Sequence, residues 1–154
     1  AIDVYPQEPT QNGPGFVSPL QKIDNVVLTP HIGGSTQEAQ ARIGTEVAQK
    51  LVQYSDDGST LGAVNFPQVT LPAQHNTSRI LHIHKNEPGI LSSINKLFDN
   101  LQINIRGQYL QTINNIGYVV MDIDNTNQQA KDAALKLFNA LKQIPGTIKT
   151  RILY

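Results

Sequence analysis

Arg79-Ile80-Leu81-His82-Ile83-His84, followed at once by Lys85-Asn86-Glu87-Pro88-Gly89-Ile90-Leu91, decides the fold. The first six residues read as a strand. Pro88 then opens a helix whose Ile90, Leu91, Ile94, Leu97 and Phe98 share one face. Working outward, Ile103-Asn104-Ile105-Arg106-Gly107-Gln108-Tyr109 alternates, which predicts a half-exposed strand with Asn104 facing away from the core. Asn114-Asn115-Ile116-Gly117 predicts a turn, and Gly117 to Ile123 the next strand. Asn127 caps a helix carrying Ala130, Ala134, Leu137 and Leu141, Pro145-Gly146 stops it, and Ile148 to Leu153 forms the last strand. The order βαββαβ predicts an α+β, ferredoxin-like unit over 79–154, with four antiparallel strands and both helices on one face. Its other face and an edge are left seeking a partner.

The residues before this unit have a different texture. Seven of the nine prolines precede residue 73, and 71–78 reads as a linker. Ala1-Ile2-Asp3-Val4-Tyr5 and Asn25-Val26-Val27-Leu28-Thr29 read as buried strands separated by a long Pro/Gly loop. Ser35 and Glu38 have capping-box spacing, and Ala39, Ile43, Val47 and Leu51 recur every four residues to give one apolar stripe. The helix is expected to stop near Asp56-Asp57-Gly58. Two strands and one helix cannot cover both faces of a sheet, so 1–70 reads as the remnant of a larger α/β core.

Charge follows the same division. The 154 residues balance at zero, but 79–154 holds nine basic and five acidic side chains, +4, which leaves −4 upstream. A balanced chain offers no global field for a nucleic-acid backbone or an anionic membrane. Without cysteine there is no disulfide, thiolate metal site or catalytic thiol, as suits a reducing, cytoplasmic setting.

Two places could carry chemistry. His31 lies in Thr29-Pro30-His31-Ile32-Gly33-Gly34-Ser35, between a strand end and a helix start, where open α/β sheets gather their ligands. Gly33 and Gly34 let backbone amides approach a ligand. Glu8 also follows a strand end, so the two side chains meet if those strands are neighbours. A carboxylate on an imidazole raises its pKa and fixes its tautomer, the preparation a general acid/base needs. The second place is His84-Lys85-Asn86-Glu87-Pro88-Gly89, a strand-to-helix turn whose free amides suit the carboxylate of a small amino acid. His82 and His84 share a strand face but lack a third metal ligand, and no metal is expected. His75, in the linker, is assigned nothing.

Together the segments 1–9, 25–36 and Ala63-Val64-Asn65-Phe66-Pro67 resemble the end of the catalytic core of the D-2-hydroxyacid dehydrogenases. His84-x-Asn86-x-Pro88-Gly89 narrows the resemblance to the bacterial, serine-inhibited D-3-phosphoglycerate dehydrogenases with a C-terminal ACT domain. The resemblance implies that His31 is the acid/base and Glu8 its partner. Asp3, His31, Ile32, Gly33 and Gly34 would line the NAD site, while His84, Asn86 and a neighbouring subunit's Asn104 would bind L-serine. It also implies ACT-mediated self-association, as a dimer of this part and a tetramer of the whole enzyme. The family's Gly-rich dinucleotide motif and substrate arginine are expected upstream of residue 1, so these residues alone are expected to be inactive. Asn76-Thr77-Ser78 stands where relatives often carry a Gly-Gly hinge. A stand-alone amino-acid-binding module would explain 79–154 equally well, but leaves Glu8 and His31 idle.

Overall fold

The computed structural model describes residues 1–11, 13–72 and 75–154, which cluster into two units, Ala1–Ala48 and Gln49–Tyr154. Ala73 and Gln74, inside the expected linker, lie outside the described residues. No helix among the described residues is long and apolar enough to cross a membrane.

The larger unit holds a four-stranded antiparallel sheet of β1 (Thr77–Lys85), β2 (Ile105–Ile113), β3 (Ile116–Asp124) and β4 (Thr147–Leu153), in the order β2-β3-β1-β4. The helices α2 (Ile90–Asn100) and α3 (Gln128–Leu141) complete the βαββαβ order read from the sequence. Asn127 caps α3 as expected, its side chain accepting from the Ala130 amide at 2.9 Å. Pro88 does not begin α2; Gly89 takes the N-cap position at φ 91°. That left-handed backbone is open to glycine without cost, so the helix starts two residues later than the proline predicts.

β1 and β3 pair in register from Thr77↔Asp124 to Lys85↔Ile116, and each is buried along almost its whole length. The alternation of side chains therefore feeds two cores. On the helix side, Ile80, Val119, Met121 and Ile123 pack with Ile94, Phe98, Leu137 and Leu141. On the opposite side, Leu81, Tyr118 and Val120 pack with Val69 and Leu71, flanked by Tyr54 and Phe66.

That second core corrects the expectation of an open sheet face. The segment from the end of α1 (Gln37–Asp56) to Leu71 lies across it. Arg79, directly opposite Asp122 in the ladder, forms a buried fork on it, with Nε donating to Oδ1 at 2.6 Å and Nη2 to Oδ2 at 2.8 Å. The same guanidinium donates to the carbonyls of Asp57 and Pro72, each at 2.9 Å, and so holds both ends of the covering segment. A charge taken out of water is tolerated when paired and hydrogen-bonded in this way. Tyr118 adds a bond from its hydroxyl to the Gly58 carbonyl at 2.7 Å. Burial pushes its phenol pKa up, which keeps that hydroxyl a donor.

The smaller unit has little regular structure. The two predicted strands reduce to one parallel bridge, Ile2↔Leu28, in which the Ile2 amide donates to Val27 and the Thr29 amide to Ile2. α1 begins one residue later than the capping box predicts. Thr36 Oγ1, not Ser35, accepts from the Ala39 amide at 3.1 Å. The helix ends at Asp56 as expected, but its stripe is exposed at Ile43, Val47, Leu51 and Val52.

Gly58 sits at φ +81°, and a Cβ there would stand 2.5 Å from Leu81 Cδ2 and 3.0 Å from the Tyr118 hydroxyl. Gly58→Ala is expected to destabilise the larger unit by about 1–3 kcal/mol. Urea unfolding measures this, and Gly62→Ala is the comparison, since the flexible end of Lys50 is what a Cβ meets there.

Candidate functional site

The parallel bridge brings the ends of its two segments together, so the residues that follow them meet. His31 Nδ1 lies 2.9 Å from both Oε1 and Oε2 of Glu8. Glu8 also accepts from the Tyr5 amide at 2.9 Å. That bond, then the one from His31, lowers the Glu8 pKa; the Glu8 carboxylate in turn raises that of His31. An ionised carboxylate only accepts hydrogen bonds, so Nδ1 carries the imidazole proton. Nε2 is then the basic nitrogen of the neutral ring, ready to take a proton from a hydroxyl and to return it.

His31 has a left-handed backbone, φ 52°, which a non-glycine residue adopts only when held. Asp3 holds it. Its Oδ1 accepts from the His31 amide at 3.1 Å and from Thr29 Oγ1 at 2.5 Å. These bonds, the Thr29 hydroxyl foremost, lower the Asp3 pKa and keep it an acceptor. A cleft of about 500 Å³ opens beside the pair, lined by Tyr5, Glu8, Phe16, Thr29, His31 and Ile32 among others. Asp3, Gly33 and Gly34 are not part of that lining. Gly33 and Gly34 form the turn before α1, where a Cβ on Gly33 would meet open space.

The histidines of β1 belong to a separate place in the larger unit. Their rings stack at 5.3 Å, as two residues on one strand face must. His82 is fully buried and His84 nearly so. His82 Nε2 lies 2.9 Å from Thr147 Oγ1, whose own proton goes to the Leu141 carbonyl. The threonine oxygen must therefore accept from His82, which places the ring proton on Nε2. His82 Nδ1 and His84 Nδ1 are both buried without a partner. The His84 ring occupies the space a Cβ on Gly117 would need.

Asn86 lies on the exposed turn beyond. Its amide donates to the Asn115 carbonyl at 2.8 Å and its side chain to the Asn114 carbonyl at 3.1 Å, which ties the turn to the β2–β3 hairpin. Next to it, the Gly89 N-cap supplies no side-chain cap to α2, and the first-turn amides are left to other acceptors. Asn104 is exposed just before β2, and Ile103 and Ile105 on either side of it pack on the helix-side core. It stands at the far end of the sheet. β2 enters opposite Ile123, whereas His84 is opposite Gly117, six residues away along β3 and roughly 20 Å at strand rise. One chain thus brings His84 and Asn86 to one end and keeps Asn104 from them. Among the described residues no three His, Cys, Asp or Glu side chains gather as metal ligands.

Sequence reasoning missed Tyr5 and Thr29 beside His31, and Arg79 with Asp122 beneath the sheet. A tyrosine three residues before the acid, and an Arg–Asp pair 43 residues apart, carry no local signal.

Burial, then the neighbouring His84, lowers the His82 pKa to about 4. An unfolded imidazole takes its proton near 6.5. The unfolded state therefore binds more protons, and stability is expected to fall as pH drops from about 6.5 to about 4. His82→Gln, which keeps a donor for Thr147 but does not titrate, should flatten that slope in denaturant midpoints measured against pH.

Residues 80–149 match the AHAS small subunit-like ACT domain. All 154 residues align at 57% identity with D-3-phosphoglycerate dehydrogenase of Escherichia coli (strain K12), covering 36% of that protein. The Haemophilus influenzae protein of the same name is 54% identical over the same span, again 36% of its length. The chain thus spans about a third of the length of the curated relatives it matches. Among solved structures, the ACT domain of the Chlorobium tepidum GTP pyrophosphokinase covers 50% of this chain and 96% of its own, at 19% identity and a TM-score of 0.44.

Proposed function

We propose, for a chain homologous along its whole length to the C-terminal part of D-3-phosphoglycerate dehydrogenases and carrying an ACT domain, that it serves an NAD-dependent oxidation of 3-phosphoglycerate, the first step of L-serine synthesis, under control by L-serine. The observation that carries this reading is the bond from His31 Nδ1 to the Glu8 carboxylate beside an open cleft. In the forward direction His31 Nε2 takes the proton of the substrate hydroxyl. Glu8 offsets the charge that then develops on the ring, as a carboxylate does for any imidazole base. Asp3 and Thr29 keep the histidine backbone in place, and Asp3 would border the nicotinamide side of the cofactor. NAD, when bound, supplies the hydride acceptor. The Ile32-Gly33-Gly34 turn would border it.

In the larger unit, the effector is a small amino acid. Its carboxylate suits the uncapped amides at the start of α2, and His84 Nδ1 and the Asn86 side chain offer polar contacts for the rest of it. Asn104 completes the set from a second copy, since the strand geometry separates it from His84 within one chain. Serine binding and self-association are then one event, and a serine that prefers one arrangement of the pair shifts the enzyme toward the inhibited state. A dimer of this part follows from that reading, and a tetramer of the whole enzyme is what the family resemblance implies.

Titration calorimetry with L-serine tests it. Heat of binding at sub-millimolar to millimolar serine is expected, together with a dimer by light scattering, and Asn86→Ala should weaken it by about tenfold, the scale of one charge-assisted bond. No heat at millimolar serine from a monomeric chain would contradict the reading.

A further inference from the structure

We infer that Tyr5 is a positioning residue for the Glu8–His31 pair, fixing both partners through two different groups; this rests on the reading of that pair as the acid/base. The carboxylate hangs on Tyr5 by the backbone amide, which donates to Glu8 Oε1 at 2.9 Å. The imidazole hangs on it through the phenol. Tyr5 Oη donates to the Thr29 carbonyl at 2.8 Å, with the Ile2 carbonyl farther off at 3.2 Å. Thr29 precedes His31 by two residues, with Pro30 between them stiffening the link. The phenol thus adds a further tie between the two segments, beside the single bridge and the bonds of Asp3.

The ring itself is held. Tyr5 is half-buried while the described residues around it from Ala1 to Gln11 are exposed, and it meets Phe16 edge-on at 4.6 Å between centroids. An aromatic ring alone would satisfy that packing. The hydroxyl is the group that reaches the histidine's own segment. Asp3 performs a complementary task on the His31 amide, so the left-handed turn is gripped from both sides.

Tyr5→Phe separates these roles, because it keeps the ring and the amide and removes only the phenol tie. The test follows the His31 ring by NMR as pH is varied, with His31→Asn used to assign its signal and Glu8→Gln to give the unpaired limit. The Tyr5→Phe midpoint is expected to move down toward that limit. Incorporating 4-aminophenylalanine at position 5, which restores a donor on the same ring, is expected to bring it back. An unchanged midpoint in Tyr5→Phe overturns the proposal. So does a lowered midpoint that the amino group fails to rescue, since packing and not the tie would then be responsible. In a full-length enzyme carrying this segment, kcat/KM should fall about 2- to 12-fold in Tyr5→Phe, the range of one hydrogen bond, with KM unchanged. Retention of full activity in His31→Ala would instead sink the acid/base reading and leave the Tyr5 titration result standing.

Discussion

Strand β1 faces two ways, and the larger unit is organised around that constraint. Paired with β3 on one side and β4 on the other, its backbone has no free edge. With a core against each sheet face, every side chain except the terminal Lys85 is buried or partly buried and must be satisfied there. Ile80, His82 and His84 point toward the helices; Arg79, Leu81 and Ile83 point toward the covering segment. A polar group on either face costs several kcal/mol unless bonded, in the range of about 2–7 for a neutral group. This explains why Arg79 makes four bonds, to Asp122, Asp57 and Pro72. It also marks the unbonded Nδ1 atoms of His82 and His84 as exceptions. The exception at His84 lies at the end of the strand, next to the exposed turn of Asn86.

The smaller unit is built on the opposite economy. It has one bridge and a handful of side-chain bonds, and nearly all its residues are exposed. Its order is concentrated around His31, in the bonds of Asp3, Tyr5, Glu8 and Thr29. Local backbone strain at His31, a positive φ on a residue with a Cβ, is held by those bonds and not by a core.

Much of this was legible in the sequence, for reasons that differ by element. The βαββαβ order was readable because each element carried its own period and stop signal, with boundaries shifting by only a few residues. The meeting of Glu8 and His31 was readable because both follow strand ends, and parallel neighbours bring such ends together. The cover on the second sheet face was not. Val69 and Leu71 lie in a proline-rich stretch without periodicity, and only the three-dimensional position of Arg79 shows that the stretch is held at both ends. The start of α1 was misplaced because Ser35 and Thr36 are both competent caps, and the choice depends on backbone geometry. The alternation around Asn104 correctly set its face. Its distance from His84 needed the strand register.

The central claim, that one chain's His84 and Asn86 share a serine molecule with another chain's Asn104, is tested most directly by mixing two variants that each lack one half of the site. In a two-fold pair, a His84→Ala copy and an Asn104→Ala copy place both defects in one site and leave the other intact. Each variant alone should bind serine at least about tenfold more weakly than the unaltered chain by calorimetry, with no high-affinity sites. An exchanged one-to-one mixture should recover about a quarter of the wild-type binding capacity, since half the dimers are mixed and each carries one intact site. A mixture that binds no more serine than its components would contradict the shared site.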